Sequence, residues 1–369
     1  MAGGDAMASA AEVAGRFSAG DGVALVEVFR RGHIHSSFRV TIGEGPDERR
    51  ILLQRVNDRV FLDPVVVDRN IQSITAHMHR VIQRQGGGSE RRVLELLAGD
   101  GGATLVRDAE GGWWRAYRFV EDAAPAAEIN EATVERAAWA FGEFQRLLTD
   151  YDGPPLSETI PGFHDTPRRL EALESALRED PYGRLAGVRT EVERILDRRR
   201  LGATLSDNPD LPVRIVHNDA KLDNVLFDAA TDEALCVVDL DTVMPGCVGF
   251  DFGDMVRSMS VTGSEDGVEA DGACVREELF AALARGYLRA IGDVLTPAEI
   301  AILVPSGVVL TLEQAARFLT DHLLGDTYYR VDRPDQNLDR TRAQLGLLDS
   351  LINAGPRLEA IVQRELRVG

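Results

Sequence analysis

Five polar residues in the second half of the chain have types and spacings suited to chemistry on a charged group. His217, Asp219, Lys221 and Asn224 form the pattern H-x-D-x-K-x-x-N, and Asp239 follows in the segment ALCVVDLDT. Asp219 supplies a carboxylate for an attacking hydroxyl, whereas Asn224 and Asp239 supply the oxygen ligands that Mg²⁺ prefers. These are the roles that phosphoryl transfer requires. We interpret His217 as a packed residue that shapes the loop, and not as a base.

Lys221 is the only lysine of the chain, because every other member of the 41 lysines and arginines is an arginine. An ammonium is a compact point charge, whereas a guanidinium is a broad planar fork. A cation that must fit between carboxylates and a transferring phosphate therefore has a reason to be lysine. We predict that Lys221 neutralises charge at the phosphoryl group; the alternative is that one lysine persisted by chance.

The position of this lysine excludes one large class of nucleotide-binding proteins. A P-loop requires G-x-x-x-x-G-K-[ST], and Lys221 does not lie in such a motif. Protein kinases instead hold the phosphates with a lysine on the third strand of their first lobe. The corresponding segment here reads RRILLQRV, in which we take Arg55 as the stand-in; the alternative is a surface arginine on an edge strand.

The loop GHIHSS, residues 32–37, lies between the first two predicted strands, where a phosphate-covering loop is expected. Gly32 is its only glycine, but its backbone N–H groups and its serines, Ser36 among them, are suited to cap phosphate oxygens. His33 and His35 do not indicate a metal site, because no cysteine or carboxylate joins them at ligand spacing.

Asp251 begins the triplet Asp-Phe-Gly, which imitates the metal-binding triplet of protein kinases. It follows the strand that carries Asp239 and comes too late in the chain for that role. We predict instead that Asp251 hydrogen-bonds the catalytic loop from a helix start, with Asp254 in the first turn. A remote alternative is a haloacid-dehalogenase-type phosphatase with Asp239 as nucleophile. Such a fold needs a parallel α/β core downstream, where this sequence is helical.

The hydrophobic pattern changes after about residue 120. Short alternating strands occupy residues 23–56, a helix is predicted at 64–85, and two further strands at 103–108 and 113–120. Beyond this point helical periodicity predominates. Helices are predicted at 130–149, 166–199, 275–292, 297–325 and 336–366, and short strands around 213–216 and 234–240.

These elements predict an α+β fold with a small β-rich lobe and a larger helical lobe. We expect a flexible N-terminus over residues 1–20, a nucleotide-binding lobe over 21–120, and a helical lobe with the catalytic loop and substrate site over 121–369. Ligands often bind at such a junction.

Composition narrows the possible partners. A net charge of −19 argues against nucleic-acid binding and against an anionic membrane surface. Three cysteines without a CxxC pair fit a reducing compartment, and the N-terminus lacks the basic and apolar regions of a signal peptide. The apolar segment 301–312 is too short to span a bilayer. We therefore expect a soluble, cytoplasmic protein.

Several longer segments resemble the aminoglycoside phosphotransferase and choline kinase superfamily, whose members are related to protein kinases. The closer resemblance is to N-acetylhexosamine 1-kinases. The segments that carry it are GHIHSSFRV, ILLQRVND, WWRAYRFVE, FQRLL, IPGFHDTPRRL, VHNDAKLDNVLFD, VVDLDTVMPG, FDFGDMVR and RFLTDHLLGDTYYRV. The H-x-D…N and V-D pairs are typical of the whole superfamily, whereas IPGFHDT, DLDTVMPG and RFLTDHLLGDTYY point to the hexosamine kinases.

The resemblance implies a two-lobed protein-kinase-like fold that binds ATP and Mg²⁺ in the cleft, in a monomer. Asp219 is then the base for the anomeric hydroxyl of a free hexosamine. Phe119, Val120 and Glu121 correspond to the hinge against the adenine. Two further positions, Arg317 and Tyr328, are expected to hold the sugar, the alternatives being a surface arginine and a tyrosine at the edge of the core.

The sequence departs from this pattern at several positions. The phosphate loop is poor in glycine, Arg55 replaces the strand-three lysine, and the helix at 64–85 offers only Asp68 as a partner for that arginine. Ser258 stands where an aromatic is expected in hexosamine kinases. Two alternatives therefore remain: a kinase for another small alcohol, such as an aminoglycoside, choline or a different sugar, and a pseudokinase that only binds.

Overall fold

The structure is a computed structural model that describes residues 2–18, 20–29, 34–262 and 273–367, with side chains from residue 7 onward. Two groups of elements follow one another along the chain. The first group is α1 (Ala2–Gly15), β1 (Val23–Val28), β2 (Ser36–Ile42), β3 (Arg49–Arg55), α2 (Pro64–Arg84), β4 (Leu105–Arg107), β5 (Trp113–Arg118) and β6 (Ala123–Ala124).

The second group is mostly helical. Its elements are α3 (Glu131–Leu147), α4 (Thr166–Glu179), α5 (Arg189–Leu196), α6 (Ala203–Ser206), β7 (Arg214–Val216), β8 (Val225–Asp228), β9 (Ala234–Val237), β10 (Met244–Gly246), α7 (Val248–Met259), α8 (Glu277–Ile291), α9 (Pro297–Ala301), α10 (Leu303–Leu323) and α11 (Gln336–Glu365). The predicted α+β fold, with a sheet first and helices after it, is confirmed.

An antiparallel sheet forms the first part of the molecule, with strand order β1-β2-β3-β5-β4. Successive residues of a strand point to opposite faces of the sheet, so alternate side chains face an apolar core and the cleft. On β3, Ile51 and Leu53 join an apolar core with Phe38 and Trp114 on one face. The intervening Leu52 and Gln54 face the cleft between the sheet and the helices. This parity decides which strand residues can reach a ligand.

Residues 1–20 were expected to be flexible, but much of this segment forms α1. Ala10, Val13, Ala14 and Phe17 recur at helical spacing and are buried on the outer face of the sheet. The prediction failed because alanine-rich segments have few large apolar residues to mark their buried face. Burial of Val13 and Phe17 against the sheet stabilises the helix.

The α2 helix joins the sheet to the catalytic region. Asp63 caps its first turn by accepting from the N–H groups of Val65 and Val66, and Pro64 occupies the first helical position. Asn70, buried in this helix, donates to the carbonyl oxygens of Ser157 and Val243 at 2.8 and 3.1 Å. This side chain therefore fixes α2 to the chain segment that follows Asp239.

The α3 and α8 helices cross at very short distance in the second part of the molecule. A Cβ atom on Gly286 would lie 2.0 Å from the carbonyl oxygen of Glu135, and one on Gly142 would lie 2.7 Å from the Cβ of Ala290. Glycine is required at this crossing because the two backbones touch. The close contact buries Phe141 and Tyr287 beneath the catalytic loop.

Two long predicted helices are interrupted in the structure. The predicted helix at 166–199 is split into α4 and α5, because Asp180 adopts a left-handed conformation before Pro181 and ends the first helix. The predicted helix at 297–325 begins with the short α9, capped by Thr296, before α10 starts. Among the described residues, no helix is both long and apolar enough to cross a membrane.

Candidate active site

The catalytic loop between β7 and β8 is held from beneath by one buried carboxylate. Asp251, in the first turn of α7, accepts from the N–H groups of His217 at 2.8 Å and Asn218 at 2.6 Å. Gln145 of α3 donates to the same carboxylate at 2.6 Å. Asp251 therefore occupies the loop-supporting position that the sequence predicted for it.

His217 is fully buried and packs against the rings of Phe141 and Phe144. Its Nε2 donates to the carbonyl oxygen of Val238 at 2.9 Å. The ring thus connects the catalytic loop to the strand that leads to Asp239, in the packed position expected from the sequence.

Asp219, Lys221 and Asn224 come together as the spacing predicts. The Lys221 ammonium lies 3.0 Å from the Asp219 carboxylate, and the Asn224 amide donates to the same carboxylate at 2.9 Å. Burial would raise the pKa of Asp219, but Lys221, His217 and the amide together hold the pKa below its ordinary value. Burial would lower the pKa of Lys221, and Asp219 instead raises it. At neutral pH the site therefore holds an ionised carboxylate beside an ammonium.

Asp239 stands at the end of β9 in a left-handed conformation, with φ at 61°. Burial raises its pKa, and the nearby Asp241 and Asp219 carboxylates raise it further. The amide nitrogen of Asn224 is turned to Asp219, so its oxygen is presented to the other side. A carboxylate with uncompensated negative charge and an amide oxygen are a donor set that fits Mg²⁺.

A buried arginine that the sequence did not single out dominates the sheet side of the cleft. Arg115 of β5 forms a two-pronged pair with Asp241, with nitrogen–oxygen distances of 2.9 and 2.6 Å. Its Nε and one Nη also donate to the Gln54 amide oxygen on β3, at 3.1 and 3.0 Å. Burial would raise the pKa of Asp241, but Arg115 and then His35 hold it well below its usual range.

Arg55 does not reach the cleft, and this corrects the role assigned from the sequence. Its side chain points to the same face of the sheet as Ile51 and Leu53, away from the cleft. On that outer face its guanidinium lies 3.7 Å from Asp108 and 3.5 Å from Glu110. Gln54 is the strand-three residue that lines the cleft. Counting alternate residues from the apolar Ile51 and Leu53 was the signal that could have found it.

The phosphate loop requires a similar correction. Ser36 is exposed on β2, whereas Ser37 is buried, lines the cleft and accepts a hydrogen bond from the Gln54 amide at 3.2 Å. Gly32 lies outside the described residues. Asp68 of α2, the only acidic candidate on that helix, bonds to Gln72 and Thr104.

The cleft continues to the segment that joins the sheet to the helices. Phe119 and Val120 line it, and the backbone N–H of Phe119 donates to the carbonyl oxygen of Arg50 at 3.1 Å. Glu121 instead pairs with the Arg50 side chain at 2.9 Å. The Phe119 and Val120 side chains are therefore the hinge side chains that face the cleft.

His35 reaches the aspartates despite the large sequence separation. A ring nitrogen and one carboxylate oxygen each of Asp239 and Asp241 lie within 4.8 Å of one another, close enough for the three side chains to surround one ion. The Nδ1 of His35, however, accepts from the backbone N–H of Asn57 at 3.1 Å, so a neutral ring carries its proton on Nε2. That nitrogen faces Asp241 at 3.3 Å, a weak contact that lacks good hydrogen-bond alignment. With its proton on Nε2, the neutral ring offers no free nitrogen lone pair to a metal ion in this arrangement.

The two residues expected to hold the substrate, Arg317 and Tyr328, lie next to each other in the structure. The Arg317 guanidinium on α10 lies 5.3 Å from the Phe163 ring, 6.0 Å from Tyr328 and 5.7 Å from Tyr329. Arg317 is largely buried, whereas 61% of Tyr328 is exposed. Burial would lower the pKa of Arg317, but the tyrosines and Glu313 raise it, so this position is cationic.

Comparison with known proteins agrees with this geometry. Residues 27–301 match the phosphotransferase enzyme family. A microcompartment-associated aminopropanol kinase superposes with a TM-score of 0.61 at 16% identity, covering 96% of this chain and 98% of that one. Choline kinase from Cryptosporidium parvum Iowa II gives 0.55 at 13% identity, covering 93% of each chain. A spectinomycin phosphotransferase in complex with ADP and spectinomycin gives 0.52 at 13% identity, covering 90% of this chain and 94% of that one.

The structural likenesses confirm the kinase-like fold, and the family match confirms the expected membership of a phosphotransferase family. The topology disagrees with the phosphatase alternative, because the strand before Asp239 pairs antiparallel with β8 and, among the described residues, belongs to no parallel sheet. With a family match over most of its length, the chain belongs to the phosphotransferase enzyme family and is a kinase that acts on an alcohol group.

Proposed function

We propose that the protein is an ATP- and Mg²⁺-dependent kinase that phosphorylates the anomeric hydroxyl of a free hexosamine, with Asp219 as the base. The observation that supports a neutral acceptor is the positive charge of Arg317 at the expected substrate position. The guanidinium of Arg317 already lies among the rings of Phe163, Tyr328 and Tyr329. A neutral sugar can accept hydrogen bonds from such a cation.

The same arrangement disfavours a cationic acceptor such as choline or an aminoglycoside. These ligands need carboxylates or an aromatic cage that no other cation fills. Asp321 is engaged with the N–H groups of Thr327, Tyr328 and Tyr329. Asp326 pairs with Arg184 at 2.6 Å. Asp321 and Asp326, two acidic residues next to Tyr328 and Tyr329, are thus committed to the fold.

In the proposed reaction the anomeric oxygen attacks the γ-phosphorus of ATP, the bond to the β-phosphate oxygen breaks, and the hydroxyl proton passes to Asp219. Phosphoryl transfer has a loose transition state that depends on positioning and charge stabilisation more than on base strength. A carboxylate with a lowered pKa suits this task, because it orients the hydroxyl and takes the proton late. Lys221 then stabilises charge near the transferred group.

The nucleotide is expected between the sheet and the catalytic loop. The related spectinomycin phosphotransferase binds ADP, which supports a nucleotide in the cleft here. Phe119 and Val120 line the part of the cleft expected to hold the adenine, and Gln54 and Arg115 line the sheet side of the same cleft. Asn224 and Asp239 would hold Mg²⁺, which supplies neutralisation of the phosphate oxygens when bound.

The function is tested by incubating the protein with ATP, Mg²⁺ and a panel of acceptors while ADP release is measured. The panel contains N-acetylglucosamine, N-acetylgalactosamine, glucose, galactose, kanamycin and choline, and phosphorus NMR identifies each product. A glycosyl 1-phosphate from an N-acetylhexosamine is the expected result, and it would show that Ser258 is tolerated. A phosphate on kanamycin or choline would overturn the acceptor class and leave the family unchanged.

The base is tested by Asp219→Asn. A positioned general base contributes roughly 10²–10⁴-fold in rate, so kcat should fall by about that factor while ATP binding is retained. Asp232→Asn, in the exposed turn between β8 and β9, makes the same chemical change away from the cleft and serves as the control. Unchanged turnover in D219N would refute this assignment.

A further inference from the structure

A histidine outside the catalytic motif, His164, is buried between α10 and the catalytic loop. The side chain of His164, two residues before α4, is only 5% exposed. It lies between the rings of Phe163 and Phe250, with ring-centre distances of 4.7 and 5.0 Å. The proposed phosphoryl transfer does not itself use this residue.

Both ring nitrogens of His164 face groups that accept hydrogen bonds. Nδ1 lies 2.9 Å from the Glu313 carboxylate, and Nε2 lies 2.8 Å from the backbone carbonyl oxygen of Asn218. A carbonyl oxygen can only accept, so Nε2 must carry a proton. The carboxylate, which also accepts from Thr166 at 2.7 Å, is satisfied by a second proton on Nδ1. Because the Arg317 guanidinium also lies 4.0 Å from this carboxylate and favours its ionised form, the geometry supports an imidazolium.

The electrostatic surroundings agree with this protonation state. Burial alone would lower the pKa of His164, but the Glu313 carboxylate and the hydrogen bonds raise it. Burial would likewise raise the pKa of Glu313, which His164 and then Arg317 hold below its ordinary value. The charged groups around the ring are Glu313 and Arg317 on α10, Asp254 on α7 and Arg169 on α4.

The accepting carbonyl belongs to the peptide unit immediately before Asp219. Asn218 adopts a left-handed conformation with φ at 66°, which is uncommon outside glycine. Its N–H is fixed by Asp251 and its side chain donates to the carbonyl oxygen of Thr242 at 2.9 Å. The bond from His164 fixes the carbonyl oxygen, the remaining polar group of the Asn218 backbone. The orientation of the peptide that carries Asp219 therefore depends on His164.

On this basis we propose that His164, as an imidazolium paired with Glu313, is a positioning residue that aligns Asp219 with the acceptor hydroxyl. Glu313 lies one turn before Arg317 on α10, with the two side chains 4.0 Å apart. The pair thus links the acceptor-binding helix to the base. The proposal builds on the kinase function proposed above and adds a residue to its machinery.

The protonation state is tested on the wild-type protein by ¹⁵N NMR of labelled histidine, without any substrate. We expect one of the seven histidines to keep protons on both ring nitrogens at pH 8, and this signal to be absent in His164→Gln. A single ring proton on His164 would overturn the proposal. The NMR measurement needs no acceptor. A negative result would therefore refute the role of His164 without bearing on the proposed kinase function.

The positioning role is tested by Glu313→Gln, which removes the carboxylate and leaves His164 in place. Burial should then lower the pKa of His164, so the ring loses a proton as pH rises through neutrality. We expect kcat to fall by up to about 100-fold, the size of a small misplacement of catalytic groups, with the KM for ATP unchanged. The loss should deepen towards pH 8, whereas wild type shows no such decline in this range.

The control is His77→Gln, which removes a histidine that is equally buried but contacts Asp150 and Asp152 away from the catalytic loop. It should lower Tm and leave kcat unchanged. The assay uses the acceptor found in the panel, or intrinsic ATP hydrolysis if none is phosphorylated. Wild-type kcat and pH profile in E313Q would refute the positioning role, even if H164Q does not fold.

Discussion

Arg115 and Asp241 join the sheet to the catalytic segment through two parallel hydrogen bonds, at 2.9 and 2.6 Å. Both side chains are almost completely buried. The guanidinium comes from β5, whereas protein kinases place their cleft cation on the third strand. Here the third strand contributes Gln54, whose amide oxygen holds the same guanidinium.

Replacing Arg115 with methionine should destabilise the protein, because Asp241 is left as a buried charge without its partner. Breaking such a pair typically costs about 3–5 kcal/mol. Chemical denaturation measures the loss, and the KM for ATP should rise as well. Arg55→Met is the matched control on the neighbouring strand, since Arg55 faces the opposite side of the sheet. A larger rise of the ATP KM in R55M than in R115M would restore Arg55 to the cleft.

Replacing Lys221 with methionine should change the pH dependence of the reaction. In the wild type the ammonium lowers the pKa of Asp219, so the base stays ionised as pH falls through the ordinary carboxyl range. Without it, burial raises the pKa of Asp219, and the acid limb of kcat/KM should move to higher pH. Lys221→Arg keeps the charge and should preserve the limb while lowering kcat. If the acid limb of the kcat/KM profile is at the same pH in K221M as in wild type, Lys221 does not lower the pKa of Asp219 as the structure indicates.

Replacing Asp239 with asparagine should abolish most activity and yet stabilise the metal-free protein. Burial and the nearby aspartates raise the pKa of Asp239 in the folded state. The protonated Asp239 carboxyl therefore adds to the free energy of unfolding below the ordinary carboxyl pKa. This contribution is lost as pH rises through the raised pKa of the folded state. At neutral pH the ionised group costs stability, and D239N removes that cost.

Thermal unfolding with and without Mg²⁺ checks this expectation. The Tm of D239N should exceed that of wild type in the presence of a chelator, and Mg²⁺ should raise the Tm of wild type but not of D239N. An equal Mg²⁺-dependent shift in both proteins would mean that the ion binds elsewhere.

Replacing Gly286 with alanine should prevent the close crossing of α3 and α8, because the new methyl group would lie 2.0 Å from the carbonyl oxygen of Glu135. The helices must separate, and overpacking of this kind typically costs about 1–3 kcal/mol or more. Gly15→Ala, at the last residue of α1, is the control. A Cβ there meets nothing within 4 Å, so the change should stabilise the helix by up to roughly 0.5–1 kcal/mol. Equal stability of G286A and wild type would contradict the crossing.

The fold class could be predicted because the change from period-two to helical patterning is strong and occurs once. The residues around the base could also be predicted, since Asp219, Lys221 and Asn224 belong to one short loop. Arg115 and His35 could not, because each lies more than a hundred residues from Asp239 and Asp241 in the chain. The error at Arg55 was one of parity on a strand, since a shift of one residue exchanges the two faces of a sheet.

Lys221 carries the only side-chain amine of the chain, and its side chain is 40% exposed beside Asp219. An amine-acylating reagent would therefore modify a single internal peptide, and the extent of that modification would count competent active sites. Acylation requires the unprotonated amine, which the adjacent carboxylate makes scarce. The rate of labelling would thus respond to the ionisation of Asp219, in the absence of any acceptor or turnover.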